Sequence, residues 1–320
     1  MEGSKDEKPI YPFYKVNIHE ARSAALVARS VPFLVFMTIV LLLFFGVLWN
    51  ALLLLTITAT LNVAMWLWVV STAIFCMLGV SAAEDELHKV EAQGSAGSVA
   101  DESQDNVRHT IVLPNYKEDE SILETTLESL SEANGSLGFI VVLAMEAREA
   151  EARDKAKRME EKYKDKFFKI ISTHHPANLK EVHLDGSEDP ELKGKASNVK
   201  WAVQQVCKQF KISDRDVLTV CDADVILHPH YFEHISSDFV KLKEDKSHLR
   251  TMWQAPQLPW RNFYESPVVS RVWGYISSLW EFGGVSSILY GWHHMVFSAY
   301  SLPLELARDV GCWDGDVIAE

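Results

Sequence analysis

Charged side chains vanish from this chain for one long stretch and then return in a repeating rhythm. From Val31 to Ser81 there is no Asp, Glu, Lys, Arg or His. Such a run accommodates two helices of roughly 20 residues each, the length that crosses the apolar core of a bilayer. It divides into Val31 to Leu55 and Leu61 to Ala82, joined by a turn over Thr56, Ile57, Thr58, Ala59 and Thr60. A secretory signal has a shorter apolar core lying nearer the amino terminus, so a membrane hairpin is the better reading. Glu84 to Asn106 is rich in Glu, Asp, Ser, Gly and Ala and reads as a linker.

Beyond the linker, short apolar runs alternate with amphipathic ones. Thr110 to Leu113 predicts a strand, followed by a helix from Ser121, where Ser121 and Glu124 have capping-box spacing. Phe139 to Ala144 is apolar throughout, the pattern of a strand buried on both faces. Glu146 to Lys166 predicts a charged helix with a solvated face, paired Glu151 to Lys155 and Asp154 to Arg158. Phe168 to Ser172 is the next strand; then Ser197 caps a helix striped by Val199, Ala202, Val203, Val206 and Phe210. Val217 to Val220 is a fourth strand. Strands alternating with helices predict a doubly wound, mainly parallel α/β sheet with its ligand site beyond the carboxyl ends of the strands. Three segments then crowd one edge: Pro114 to Glu118, Met145 with Glu146, and Asp222 to Asp224.

Composition refines this picture. An apolar share of 48% would suit an ordinary globular protein, and only the uneven distribution reveals the membrane pair. Lys5, Lys8, Lys15, Arg22 and Arg29 precede the hairpin whereas its turn is uncharged, which predicts an integral, multi-pass membrane protein with both flanks and the large domain cytosolic. A formal net charge of −13 leaves no basic stripe to neutralise a nucleic-acid backbone and argues against such a partner. The four cysteines, Cys76, Cys207, Cys221 and Cys312, have neither metal nor disulfide spacing. Asn134, Gly135 and Ser136 spell a glycosylation acceptor that a cytosolic domain leaves unmodified. The chain divides as 1–30, a cytosolic segment; 31–82, two membrane helices; 83–106, a linker; and 107–320, the α/β domain.

The candidate chemistry sits at the end of the fourth strand. Cys221, Asp222, Ala223 and Asp224 interrupt the apolar run, and residues two apart on an extended chain share a side, so both carboxylates can face one oxygen-ligand cation. Lys195, at the start of a helix with Ser197 and Asn198, offers a point charge beside free backbone N–H groups, a fit for phosphate. His228, His230 and His234 have a spacing that zinc accepts, but Pro229 turns the chain between them. Trp253 to Trp292 is rich in aromatic residues, which suit a core and membrane-interface role better than a sugar channel. His293 and His294 with Ser298 have no acid at a telling spacing, so no hydrolase triad is expected.

From residue 107 onward the chain resembles the family 2 glycosyltransferases of the GT-A fold, the group of the cellulose, chitin and hyaluronan synthases. Pro114, Asn115, Tyr116, Lys117, Glu118 is similar to the family's opening motif, with Lys117 where Asn is usual. Asp222, Ala223, Asp224 matches its DxD motif, and Gly194 to Asn198 is similar to its Lys, Ala, Gly, Asn segment. Gln254 to Gln257 is similar to the segment after the metal strand, and Trp313 to Glu320 to the approach to the Glu, Asp motif, whose Asp is the general base.

The resemblance implies inverting transfer of a sugar from a nucleotide-diphosphate donor, a UDP-sugar first of all, to a carbohydrate or lipid acceptor. Mg²⁺ or Mn²⁺ is the implied cofactor, held by Asp224 and Asp222. Pro114, Tyr116, Glu118, Glu146, Lys195, Ser197 and Asn198 are the implied donor contacts, with Asp316 and Glu320 on the acceptor side. Met145 and Glu146 stand where the family usually has an Asp pair reading the base. The expected base, the acceptor-side Gln, Arg, Trp motif and later membrane helices are missing from these residues, and the expectation is a fragment of a longer enzyme. Two alternatives stand beside the polymer synthase: a single-transfer enzyme acting on lipid or protein, and a non-catalytic nucleotide-binding membrane module.

Overall fold

The computed structural model describes residues 18–95, 107–182, 188–191, 193–244, 246–285 and 298–313. Two helices lead, α1 (Ile18–Trp49) and α2 (Ala51–Ser95), with apolar spans at Ser30–Trp49 and Ala51–Asp85, each long and apolar enough to cross a membrane. Their surfaces carry exposed Phe, Leu, Val and Trp side chains along most of these spans. The helices meet at Asn50, not over residues 56–60 as expected. Asn50 Oδ1 accepts the Leu53 N–H at 3.0 Å, capping α2, and Leu54 packs against Gly46, which has no side chain to obstruct the corner. Thr56 and Thr60 lie inside α2, where their hydroxyls donate to the carbonyls of Leu52 and Thr56, so no turn is needed to satisfy them. Helix continues through Ser95, into the first half of the expected linker; 96–106 lies outside the described residues.

The α/β domain is built on β1 (Arg108–Asn115), β2 (Ile140–Glu146), β3 (Lys169–His175) and β6 (Asp216–Val220), which are mutually parallel. A hairpin of β4 (Lys180–Val182) and β5 (Glu188–Pro190) stands apart. The main sheet runs β3-β2-β1-β6-β8-β7, and its last two strands, β7 (Trp253–Gln254) and β8 (Tyr300–Pro303), are antiparallel additions. The fold is therefore the expected mainly parallel, doubly wound α/β sheet.

Strand alternation assigns the two faces. Ile111, Leu113, Val141, Leu143 and Met145 point to one side, against α3 (Glu120–Glu132), α4 (Ala152–Tyr163) and Phe232 of α6 (Tyr231–Lys241). Val112, Val142 and Ala144 point to the other, against Val199, Ala202, Val203 and Val206 of α5 (Lys195–Gln209) and Leu304 and Ala307 of α8 (Leu304–Asp309). With both faces covered, β2 is buried along its whole length, as its unbroken apolar run requires.

Two helix starts differ from expectation. α3 begins at Glu120 after Asp119, without a side-chain cap, and α5 begins at Lys195 after Gly194, which leaves Ser197 within the first turn and buried. The α4 face is not simply solvated. Lys155 is buried and pairs with Glu149 at 2.6 Å, and Arg158 pairs with Glu120 of α3. Tertiary packing of α4 on α3 and the sheet draws these charges away from the neighbours that helical spacing offers. α7 (Val268–Val285) packs along α2, with Trp68 and Trp280 ring centroids 5.4 Å apart and the Cys76 thiol donating to the Leu279 carbonyl.

At the amino-terminal edge, Arg108 grips buried Asp216 through Nε at 2.7 Å and Nη2 at 2.6 Å, joining β1 to β6. Asp216→Ala removes the partner that these donors and the Ser213 N–H share. It is expected to lower unfolding stability by about 3 kcal/mol, measured by denaturant titration.

Candidate functional site

Parallel register brings the strand exits together. Asn115 closes β1 opposite Met145 of β2, Val112 pairs with Val220 of β6, and the Cys221 N–H donates to the Val112 carbonyl at 3.1 Å. A cleft of about 450 Å³ opens at this edge. Its lining includes Pro114, Tyr116, Glu118, Glu146, Lys195, Asn198, Asp222 and Asp224, all of them residues singled out from sequence. Ser197 does not line it; buried in the first turn of α5, it serves the packing of that helix. Asp316 and Glu320 lie outside the described residues.

The aspartates share the cleft through a turn rather than through strand alternation. β6 ends at Val220, and the Val225 N–H closes the turn on the Asp222 carbonyl at 3.1 Å. Thr126 of α3 donates to the Ala223 carbonyl at 2.6 Å, and Arg261 donates to the Asp224 carbonyl at 2.7 Å. This pinned turn treats its carboxylates differently. Asp222 is engaged at both oxygens, by the Lys195 ammonium on Oδ1 and the Ser298 hydroxyl on Oδ2. Asp224 is exposed, and its carboxylate has no protein partner among the described residues. Cys221, between strand and turn, is fully buried, and burial pushes its thiol far above the ordinary value, which makes it a packing group.

No group of three or more His, Cys, Asp or Glu side chains converges on a metal position among the described residues. Two carboxylates, one of them unpartnered, fit a hard cation that draws its remaining ligands from a diphosphate and water. The histidines after the turn are otherwise occupied: His230 Nδ1 lies 2.8 Å from Glu233 Oε2 and His234 lies 3.9 Å from Asp238 Oδ2.

The cleft wall also holds a charge cluster around buried Glu146. Burial alone would raise the Glu146 carboxyl, but the nearby His175 ring, 3.5 Å away, and the hydrogen bond from Arg148 prevail and hold it below its usual value. Burial would likewise depress His175, but Glu146 and Glu191 hold its imidazolium above the usual value. Arg148 Nε donates to Glu146 Oε2 at 3.0 Å, and its guanidinium carbon lies 4.7 Å from the centre of the Tyr116 ring. Tyr116 sits on a tightly fixed loop. Its N–H reaches the Glu118 carboxylate, the Lys117 N–H donates to Glu149 Oε2 at 2.8 Å, and Lys155 donates to the Glu118 carbonyl at 3.0 Å. Lys117 adopts φ 65°, a left-handed conformation that Asn tolerates better than Lys.

On the α5 side, Asn198 Nδ2 donates to the Ala144 carbonyl at 2.7 Å and bolts the start of α5 to β2. The free N–H groups of that first turn thereby stay near Lys195. The sequence reading passed over Arg148 and His175, met Ser298 only in a rejected hydrolase triad, and gave Asn115 no role of its own within the Pro114 to Glu118 segment. Asn115 carried one signal, a polar residue ending an otherwise apolar buried strand. It is 1% exposed, lines the cleft, and has both side-chain polar atoms without a partner.

An unsatisfied buried amide destabilises a fold, and among the described residues both polar atoms of Asn115 are open to a ligand in the cleft. Asn115→Leu is expected to raise unfolding stability by about 1 kcal/mol while weakening nucleoside-diphosphate binding about tenfold. Thermal melts and titration calorimetry check the two halves; unchanged binding contradicts a ligand contact at Asn115.

No protein-family model matches this chain, and no curated protein matches it. Among solved structures it is similar to the mannosyltransferase PcManGT from Pyrobaculum calidifontis, in complex with GDP-Man and Mn²⁺. The two are 15% identical, the match covers 77% of this chain and 60% of that one, and the TM-score is 0.39. At that score the similarity carries no argument about this chain.

Proposed function

We propose that this chain binds the donor of a membrane-anchored, metal-dependent, inverting glycosyltransferase. The single observation that carries the reading is one cleft lined together by an aromatic residue, a buried carboxylate, a helix start with Lys195, and the Asp222–Asp224 turn. That set of groups suits a nucleotide sugar laid along the strand exits: base by Tyr116 and Glu146, diphosphate by Lys195 and α5, metal by Asp224 with Asp222. The division into a cytosolic amino-terminal segment, two membrane helices and a cytosolic catalytic domain belongs to the same proposal, supported by the length and apolarity of α1 and α2.

Each residue has a stated task in the reaction. Pro114 and Glu118 hold the loop that presents Tyr116 to the nucleoside. Lys195 and the N–H groups of the first α5 turn gather the diphosphate oxygens and stabilise the negative charge that grows as the sugar departs. Bound Mg²⁺ or Mn²⁺ supplies further neutralisation of that charge. The acceptor hydroxyl oxygen bonds to the anomeric carbon from the face opposite the diphosphate, the anomeric carbon–oxygen bond breaks, and the hydroxyl proton passes to a carboxylate base. Asp316 and Glu320 shape this acceptor side in the resemblance.

A lipid-borne acceptor is a second reading, favoured by one feature. Arg261, whose side chain supports the Asp224 turn, lies shortly before α7, where Val269 is 81% and Trp273 71% exposed. This apolar face lies on a helix packed along membrane-length α2, so an amphiphilic acceptor would meet the cleft at the membrane surface.

Asp224→Asn tests the proposal. The full chain in detergent is titrated with UDP and GDP with and without Mn²⁺. The substitution should cost at least about tenfold of Mn²⁺-dependent affinity and leave metal-free binding unchanged. Full Mn²⁺-dependent affinity, or donor turnover at the wild-type rate, contradicts it.

A further inference from the structure

We infer that residues 254–261 form a strap between the membrane-packed α7 and the metal turn, and that Arg261 at its end is a positioning residue that holds Asp224 in place for the cation. The inference rests on the metal-site reading above and adds what keeps that site in shape. α7, the helix against which the strap lies, is inside out. Its buried positions include Gly274, Ser278 and Glu281, one stripe at i, i+4 and i+7, whereas Val269, Val272, Trp273 and Ile276 are exposed. A small and polar stripe turned inward, with bulky apolar side chains turned outward, suits a helix that meets protein on one side and lipid on the other. On α2, Cys76 donates its thiol to the Leu279 carbonyl at 2.6 Å, and Trp68 meets the Trp280 ring; both α2 residues belong to its apolar span.

The strap lies against the inward stripe. A Cβ at Gly274 would stand 3.5 Å from Pro259 Cγ and 3.6 Å from the Pro259 carbonyl oxygen, so the strap passes close against this turn of the helix. Seven residues further along α7, Glu281 Oε2 faces the Gln257 N–H at 3.5 Å. Upstream, the strap is fixed to the sheet through β7, where Gln254 pairs with Tyr300 of β8. Pro256 and Pro259 each lock one backbone angle, which leaves little slack between these anchors and Arg261.

Arg261 Nη1 then donates to the Asp224 carbonyl at 2.7 Å. The metal turn is thus fastened from two sides. Thr126 of α3 holds the Ala223 carbonyl from within the α/β domain, and Arg261 holds the Asp224 carbonyl from the strap. Losing the second fastening frees the peptide that follows Asp224 to rotate, and with it the carboxylate that no protein group steadies among the described residues. A cation that takes few ligands from the protein depends on that carboxylate standing in one place, because the supporting groups around a ligand set its orientation. Contiguous contacts therefore run from Trp68 and Cys76 through α7 and the strap to Asp224, although Gly274 and Glu281 lie outside the cleft lining.

The experiment measures two properties of the full chain in detergent: hydrogen exchange without metal or ligand, and the ratio of UDP affinity with Mn²⁺ to that without. Arg261→Met should speed exchange of residues 222–225 about tenfold and lower the affinity ratio about fivefold. Arg261→Lys, which keeps a donor, should restore the ratio to within about twofold of the wild type. Gly274→Leu, which drives a side chain into Pro259, should act in the same direction from a position outside the cleft, whereas Gly274→Ala, whose methyl group makes only ordinary contact there, should leave both readings unchanged. Wild-type exchange and ratio in both Arg261→Met and Gly274→Leu overturn the strap and leave the donor site standing. Equal loss of affinity with and without Mn²⁺ in these two variants also overturns it, since positioning of a metal ligand cannot act without the metal. Absence of any Mn²⁺-dependent UDP binding by the wild type overturns both.

Discussion

Every part of the cleft depends on the in-register parallel pairing of β1 with β2 on one side and β6 on the other. Parallel strands direct their carboxyl ends to the same edge of the sheet, so the loops leaving them emerge there and side chains distant in sequence become neighbours. Burial on both faces enforces this register. Val112 and Leu113 point in opposite directions into separate cores, and a one-residue slip would exchange the two sets and place each against the wrong helices. The Arg108–Asp216 pair fixes the opposite end of the same ladder.

Within that frame, charges are held by other charges. Lys195 satisfies Asp222, Lys155 satisfies Glu149, and His175 joins Glu146 to Glu191. Low local dielectric makes such pairs stiff when complete and costly when broken, and it orients the free atoms that remain. Among the described residues those free atoms include the Asp224 carboxylate, the Arg148 terminal nitrogens, the Asn115 amide and Asn198 Oδ1, all on residues that line one cleft. Outside the cleft, α2 and α7 carry a different constraint. At 1.5 Å per residue, α2 is far longer than a bilayer core is thick, so only part of it can lie in hydrocarbon, and its Trp68 and Cys76 meet α7 from within the apolar part.

Much of this was legible in sequence because burial leaves a local trace. The runs at 110–113, 139–144 and 217–220 announce strands covered on both faces, and Asp222 and Asp224 stand out because they end such a run. What escaped is what depends on partners far along the chain. Trp253 and Gln254 form β7 only by pairing with β8, and two residues give no periodicity to read. Lys155 has the spacing of a surface ion pair, yet packing buries it. His175 acquires a role only because Glu146 and Glu191 close on it from two other elements. The membrane corner misled for a local reason: a run of threonines resembles a turn, but inside a helix the hydroxyls can return to the preceding carbonyls, and Asn50 was the residue suited to cap.

The central claim is that the strand exits and the start of α5 form a single donor site. Hydrogen exchange of the full chain in detergent, with and without Mn²⁺ and UDP or GDP, measures it directly. The account predicts that ligand slows exchange together in residues 114–118, 145–149, 193–198 and 221–225, and leaves the 3₁₀ turn at Ser247–Arg250 unchanged. Protection confined to one of these four segments, or centred elsewhere in the chain, would contradict it.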